Sequence, residues 1–159
     1  MYRAPAPPSP LVLVTTGNRI VAHDRTTGAP VWELLTARIN TTHGGVRGLV
    51  EGDRVYVFSA GETEGGWSAN APLVISCLDY ASGTPLWERV VELETNVAFV
   101  TPTVLIDGGQ ILAVCANRLL AFSLEDGTPQ WAQPLRTEAQ VGSPAGLCTR
   151  GATAHADRR

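Results

Sequence analysis

The residues of this chain that could do acid–base, thiol or metal chemistry are few and far apart. The histidines are His23, His43 and His155, and the cysteines are Cys77, Cys115 and Cys148. His23 precedes Asp24, but neighbouring side chains on a strand point to opposite faces, so the pair makes a poor catalytic dyad. His43 has no second ligand at a metal-binding spacing, and we expect it in a solvated loop. The spacing of these histidines and cysteines does not indicate any particular reaction.

The charged residues exclude several classes of function. All 12 basic residues are arginine, which removes chemistry that needs a Schiff-base lysine or a phosphate-loop lysine. The net charge of -3 gives no electrostatic reason to expect nucleic acid or an anionic membrane as a partner. The apolar run at 11–14 is too short for a signal-peptide core or a membrane span. We predict no membrane insertion and a cytoplasmic location, or a periplasmic one if the sequence is a piece of an exported protein.

Three segments of the chain repeat one pattern. They read AHDRTTGAPVW at 22–32, CLDYASGTPLW at 77–87 and AFSLEDGTPQW at 121–131. A glycine stands four residues before a tryptophan each time, and Gly28, Gly83 and Gly127 are separated by steps of 55 and 44 residues. Steps of this size are typical of propellers and solenoids.

Each repeat predicts strands rather than helices. An apolar run precedes each motif, at 11–14, 54–60 and 111–116. A shorter run contains each tryptophan, at 31–35, 85–91 and 129–135. Further strands are predicted at 44–50 and 97–106. An apolar stripe of helical period never lasts beyond about two turns. Four antiparallel strands per repeat make a propeller blade. The sequence therefore predicts an all-β fold of about three four-stranded antiparallel blades of a β-propeller, incomplete as a single chain.

The repeated motif has a physical logic at each position. Gly28, Gly83 and Gly127 suit the positive φ of a tight turn between strands. Asp24 and Asp79, four residues earlier, can accept hydrogen bonds from the turn, and Ser123 replaces the aspartate in the third copy. Trp32, Trp87 and Trp131 offer a large apolar plate with one N–H donor. We expect each tryptophan to fasten one blade to the next.

This motif resembles the tryptophan-docking motif of PQQ-like β-propeller repeats. The matching positions are Ala22, Asp24, Thr27, Gly28 and Trp32 in the first copy, Cys77, Asp79, Ser82, Gly83 and Trp87 in the second, and Ala121, Gly127 and Trp131 in the third. The third copy departs from the pattern at Ser123 and Asp126. Similar repeats occur in quinoprotein alcohol dehydrogenases, in an outer-membrane-protein assembly lipoprotein and in sensor domains of bacterial serine/threonine kinases. The resemblance implies the fold and leaves the function open.

The resemblance implies quinone chemistry for only some members of the family. Their dehydrogenases are similar in using adjacent cysteines near the quinone, a calcium held by carboxylate and amide groups, and an aspartate base. The cysteines of this chain are never adjacent, and its 159 residues are far fewer than an eight-bladed enzyme needs. We predict a non-catalytic protein-interaction or assembly scaffold without a cofactor. The alternative is an oxidoreductase that binds PQQ with calcium, or a small-molecule sensor, completed by other blades.

The insertion GETEGGWSANA at 61–71 accounts for the longer first step between repeats. It presents Glu62, Glu64 and Trp67 on a glycine-rich loop, and such connections lie at propeller rims, where binding occurs. Trp67 has no role in the repeat. It either contacts a protein partner or covers apolar surface of its own blade.

The predicted organisation leaves the propeller open. We place an irregular lead at 1–10, blades at about 11–35, 44–91 and 97–135, the opening strand of a further blade at 141–150, and a disordered tail at 151–159. Closed propellers have about four to eight blades. Open strand edges and apolar blade faces recruit other chains. We expect completion by self-assembly or by another polypeptide, unless the sequence is part of a larger propeller.

Overall fold

A computed structural model describes residues 7–36, 46–61, 71–93, 102–135 and 146–155. These residues form antiparallel β-strands with no helix among them, so the predicted all-β fold is confirmed. In the described part of the chain, accordingly, no helix has the length and apolar character needed to cross a membrane.

Sheet I contains the first repeat and has three strands, in the order β1-β2-β3. They are β1 Leu11–Thr16, β2 Arg19–Asp24 and β3 Pro30–Leu35. The turn between β1 and β2 places Gly17 at a φ of +55°, which is the conformation that tight hairpins favour. The long turn between β2 and β3 holds the repeated motif.

Sheets II and III each have four strands. Sheet II consists of β4 Arg47–Glu51, β5 Arg54–Ala60, β6 Leu73–Asp79 and β7 Pro85–Val91, in sequence order. Sheet III consists of β8 Thr103–Asp107, β9 Gln110–Cys115, β10 Arg118–Ser123 and β11 Pro129–Pro134, also paired in sequence order. Four antiparallel strands in a simple meander are the unit of a propeller.

A fourth unit consists of a hairpin alone, with β12 Gly146–Cys148 paired to β13 Thr153–His155. We expected one strand near 141–150 and a disordered tail from 151. The structure instead continues the chain into β13, because Thr149 donates its backbone N–H to the Ala152 carbonyl and so reverses the chain. The three residues of β13 form no apolar run, and the strand is defined by its backbone pairing with β12.

The three sheets stack face to face, and two apolar cores lie between them. Sheet I and sheet II enclose a core that includes Ile20, Val55, Val57 and Leu78. Sheet II and sheet III enclose a larger core that includes Tyr56, Phe58, Ile75, Cys77, Ile111, Ala113, Leu120 and Phe122. Strand β5 of sheet II thus alternates between the two cores, with Val55 and Val57 toward sheet I and Tyr56 and Phe58 toward sheet III, as the two-residue period of a strand requires.

Candidate functional site

The repeated turns are built from the motif residues in nearly the same way. Gly28, Gly83 and Gly127 have φ values of +74°, +71° and +71°. In the first turn, Asp24 Oδ1 accepts hydrogen bonds from the backbone N–H groups of Thr26 and Thr27, both at 2.8 Å. The bonds from the Thr27 backbone N–H and hydroxyl hold the pKa of Asp24 below its ordinary value. Hydrogen bonds within the motif therefore support the turn without a contact from a neighbouring sheet.

The second and third turns vary this arrangement. Asp79 Oδ2 accepts bonds from the Ser82 hydroxyl at 2.7 Å and the Ser82 backbone N–H at 2.9 Å, which lower the pKa of Asp79. In the third turn Ser123 Oγ accepts from the Glu125 N–H at 3.2 Å, and Asp126 Oδ1 accepts from the Thr128 N–H at 2.9 Å. In the third turn, two short side chains therefore accept the hydrogen bonds that a single aspartate accepts in the other two turns.

Each inner tryptophan lies on the turn of the following sheet. Trp32 of sheet I donates its Nε1–H to the Tyr80 carbonyl at 2.9 Å, and its ring covers Gly83. Trp87 of sheet II donates to the Glu125 carbonyl at 3.0 Å and covers Gly127. A Cβ atom built on Gly83 would lie 2.6 Å from the Trp32 ring, so only glycine leaves room for the indole.

Further polar contacts reinforce the interface between sheets II and III. The Tyr56 hydroxyl donates to the Leu124 carbonyl at 3.1 Å, Arg54 Nη1 donates to the Glu125 carbonyl at 3.0 Å, and Arg89 Nε donates to the Asp126 carbonyl at 3.0 Å. Sequence reasoning missed these residues because none belongs to the repeated motif. Arg54, Tyr56 and Phe58 stand at alternate positions of β5, which indicates that they share one face of the sheet but does not show what that face contacts.

Tyr80 ties sheet II to the start of β1. Its hydroxyl accepts a bond from the Leu11 backbone N–H at 2.9 Å and donates to the Leu11 carbonyl at 3.0 Å. Tyr80 therefore provides a carbonyl for Trp32 and a hydroxyl for β1 at the same interface. The other two motifs have Arg25 and Leu124 at the position of Tyr80, so the repeat pattern does not single this residue out.

The two outer ends of the stack are exposed. On β1, Val12 and Val14 are 47% and 42% exposed on the face of sheet I that points away from sheet II. Their equivalents by strand register in sheet II, Val55 and Val57, are 0% and 1% exposed because sheet I covers them. At the other end, Trp131 on β11 is 41% exposed. Hairpin β12–β13 lies against β8 of sheet III, so at this end of the stack the exposed strand is β11.

The candidate catalytic residues do not come together in the described part of the chain. His23 Nδ1 lies 3.0 Å from the Gly28 carbonyl oxygen, which ties the ring to its own turn. Burial raises the pKa of Cys115 to about 12 and also raises the pKa of Cys77, whereas Cys148 is exposed. His43 and the predicted partner contacts Glu62, Glu64 and Trp67 lie outside the described residues.

A calcium ion would need several oxygen ligands in one place. Over the described ranges, no group of three or more His, Cys, Asp or Glu side chains converges in a way that could hold a metal ion.

An open cleft of about 410 Å³ lies where sheet I meets sheet II. Its walls include Leu34 of β3, Val74 and Ser76 of β6, and Glu88 and Val90 of β7. Ser76 Oγ donates to Glu88 Oε2 at 3.4 Å, so the one carboxylate in the cleft already has a partner. The cleft has no second charged group among its described lining residues, and its chemistry does not indicate a reaction.

Comparison with known proteins agrees with the stacked sheets and their repeated turns. The family model described as "Outer membrane protein assembly factor BamB" matches residues 4–157. The chain belongs to this family of PQQ-like repeats. The predicted family resemblance is therefore confirmed. A comparison with curated proteins finds no match.

Two solved structures similar to this member of the PQQ-like family are much longer proteins. A "Europium-containing methanol dehydrogenase" has a TM-score of 0.57 and 14% identity, with 79% of this chain and 23% of that chain covered. The quinohemoprotein alcohol dehydrogenase ADHIIG from Pseudomonas putida has a TM-score of 0.59 and 13% identity, with 92% of this chain and 29% of that chain covered. At these identities the likeness shows the fold alone, and the chain spans less than a third of each structure.

Proposed function

We propose that this chain is a non-catalytic scaffold that binds other propeller blades through its two exposed ends. The observation that carries this proposal is the contrast in burial between equivalent valines. Val12 and Val14 are 47% and 42% exposed, whereas Val55 and Val57 are 0% and 1% exposed in the same positions of the next sheet. An apolar sheet face of this kind marks an interaction surface.

The family description supports the same proposal, because it names an assembly factor rather than an enzyme. The sheets themselves supply an arc of blades that needs others to complete a propeller. We propose that those blades belong to a protein partner or to further copies of the chain.

The second candidate function is a quinone-dependent oxidoreductase or a small-molecule sensor whose site is completed by other blades. The printed names of the two similar structures, both alcohol dehydrogenases, favour it. Adding PQQ and Ca²⁺ to the purified chain, with an alcohol and an electron-accepting dye, tests whether the chain has this activity without the other blades. Dye reduction that depends on both additions would overturn the scaffold proposal.

Site-specific photo-crosslinking tests the scaffold proposal in cells that make the chain. Benzoylphenylalanine in place of Val14 reports on the exposed end, and the same residue in place of Val50 is a matched control, because Val50 is 44% exposed but pairs with Val55 on the face of sheet II that is directed toward sheet I. We expect the Val14 position to yield an adduct whose peptides, read by mass spectrometry, carry propeller repeats. No adduct at Val14, or equal adducts at both positions, would contradict the proposal.

A further inference from the structure

The first repeat pairs an arginine with a glutamate on neighbouring strands. Arg19 begins β2, and Glu33 directly follows the tryptophan of β3. Arg19 Nη1 donates to Glu33 Oε1 at 2.6 Å, and the two side chains form an ion pair on the surface of sheet I. The repeat therefore has a position at which a guanidinium group lies beside a carboxylate.

The second repeat keeps the glutamate and lacks the arginine. Val74 and Glu88 hold the positions in sheet II that Arg19 and Glu33 hold in sheet I, as the pairing of the strands shows. A valine cannot donate a hydrogen bond. Within the described residues, accordingly, no cationic side chain forms an ion pair with Glu88.

The Glu88 carboxylate has acceptor capacity to spare. Its contact with Ser76 Oγ is 3.4 Å long, whereas O–H···O hydrogen bonds usually measure about 2.5–3.0 Å. Glu88 Oε1 accepts no hydrogen bond from the described part of the chain, and the side chain is exposed. Because the Ser76 hydroxyl donates to Oε2, its own lone pairs are also left to accept a hydrogen bond.

The walls around this carboxylate are largely apolar. They include Leu34, Val74, Pro85 and Val90, and they enclose the cleft of about 410 Å³ between sheets I and II. Ligand sites typically have volumes of about 300–1,000 Å³. An arginine side chain combines an apolar stem with a planar set of N–H donors that matches a carboxylate. The cleft therefore offers a wall for the stem and acceptors for the guanidinium.

The position of the cleft favours a protein as the source of the arginine. The cleft is lined in part by β3 and β7, and each of these is an edge strand of its sheet. A side chain can therefore enter without separating the cores of the sheets. Leu35 and Val90, which line the cleft, are 53% and 56% exposed. A partner protein would cover this apolar surface, whereas a small free cation would leave most of it in water.

From these observations we infer that the cleft between sheets I and II binds an arginine side chain of a partner protein. The guanidinium donates to Glu88 Oε1 and to Ser76 Oγ, and its stem lies against Val74 and Val90. The partner thus supplies the arginine that the second repeat lacks. This surface is separate from the two exposed ends, so the inference goes beyond the proposed function and can fail independently of it.

A titration followed by ¹H–¹⁵N NMR tests the inference with the full chain. The probe is the capped tripeptide acetyl-Leu-Arg-Leu-amide, and the matched probe carries citrulline, which has the same shape without the charge, in place of arginine. We expect the arginine peptide to shift the backbone signals of Ser76, Glu88 and Val90. The citrulline peptide should bind about tenfold more weakly or worse, because hydrogen bonds between charged groups are the stronger ones.

Three variants separate the carboxylate from other effects. Glu88→Gln should weaken binding of the arginine peptide about tenfold or more. Glu33→Gln is the matched control, since Glu33 holds the equivalent position of the repeat but is not among the described residues that line the cleft, and it should bind like the wild type. Val74→Arg restores the arginine that the other repeats have as Arg19 and Arg118, and it should block the site from within the chain. Circular dichroism verifies that each variant is folded.

Several results would overturn the inference. They are equal binding of the two peptides, a Glu88→Gln variant that binds like the wild type, a Val74→Arg variant that binds the peptide undiminished, and shifts confined to signals away from the cleft. Agmatine has the same guanidinium and stem as arginine but is a small free molecule. Tighter binding of agmatine than of the peptide would contradict a protein partner.

Discussion

The contact between Trp87 and the turn at Gly127 provides a quantitative test of how the sheets are held together. A methyl group on Gly127 would lie 2.4 Å from Cζ3 and 2.7 Å from Cη2 of Trp87. The indole cannot tilt away freely, because its Nε1–H donates to the Glu125 carbonyl at 3.0 Å. The Gly127→Ala substitution must therefore displace the ring or the turn.

The expected loss of stability has two parts. An alanine at a φ of +71° costs about 1 kcal/mol in backbone strain. Displacing the packed indole adds about 1 to 3 kcal/mol. We expect Gly127→Ala to lower the free energy of unfolding by about 3 kcal/mol, and Gly109→Ala, which carries the strain alone because its methyl group meets no described atom within 4 Å, by about 1 kcal/mol.

Urea unfolding followed by tryptophan fluorescence and by circular dichroism measures both variants against the wild type, with linear extrapolation to water. Gly83→Ala should resemble Gly127→Ala, since its methyl group would lie 2.6 Å from the Trp32 ring. If Gly127→Ala and Gly109→Ala differ by less than about 0.5 kcal/mol, a change within the range of ordinary surface substitutions, the indole contact does not hold sheets II and III together and the reasoning fails.

Three further predictions concern single side chains. Trp32→Phe should destabilise the chain more than Trp87→Phe in the same urea assay, because Arg54 still donates to the Glu125 carbonyl when Trp87 loses its N–H; equal losses would argue against the hydrogen bond. The Ser82 hydroxyl lowers the pKa of Asp79 in the folded chain. The Asp79 carboxylate therefore stabilises the fold above its ordinary pKa of 3.8, and this contribution is lost as the pH falls through the lower pKa of the folded chain. Asp79→Asn should therefore flatten the decline of stability in acid, and an unchanged slope would contradict this. Burial raises the pKa of Cys115 to about 12, whereas Cys148 is exposed. A thiol reagent at about pH 8 should therefore label Cys148 rapidly and Cys115 only on unfolding. Labelling of both cysteines at one rate would refute this prediction.

Strands of sheets II and III could be predicted from the sequence because apolar runs alternate there with turn residues. The runs at 54–60 and 111–116 became β5 and β9, within one residue at their ends. The short strand β13 was not predicted, because three residues of mixed polarity carry too little local signal. Backbone pairing with β12, rather than side-chain pattern, defines it.

The repeat spacing also predicted where glycine and tryptophan matter, but it did not show which contacts they make. That Trp87 shares the Glu125 carbonyl with Arg54 depends on the distance between two stacked sheets. That Tyr80 holds both Trp32 and Leu11 depends on how β1 lies against the second turn. Neither pair is close in sequence, so no local pattern could reveal it.

The sequence by itself determined the class of structure: repeated apolar runs and turn glycines specify four-stranded units, because strand formation depends on the alternation of neighbouring side chains. Only the tertiary structure decided that Val55 and Val57 are buried while Val12 and Val14 are not. The reason is physical: all four valines have the same local preference, and burial depends on whether another sheet lies against them.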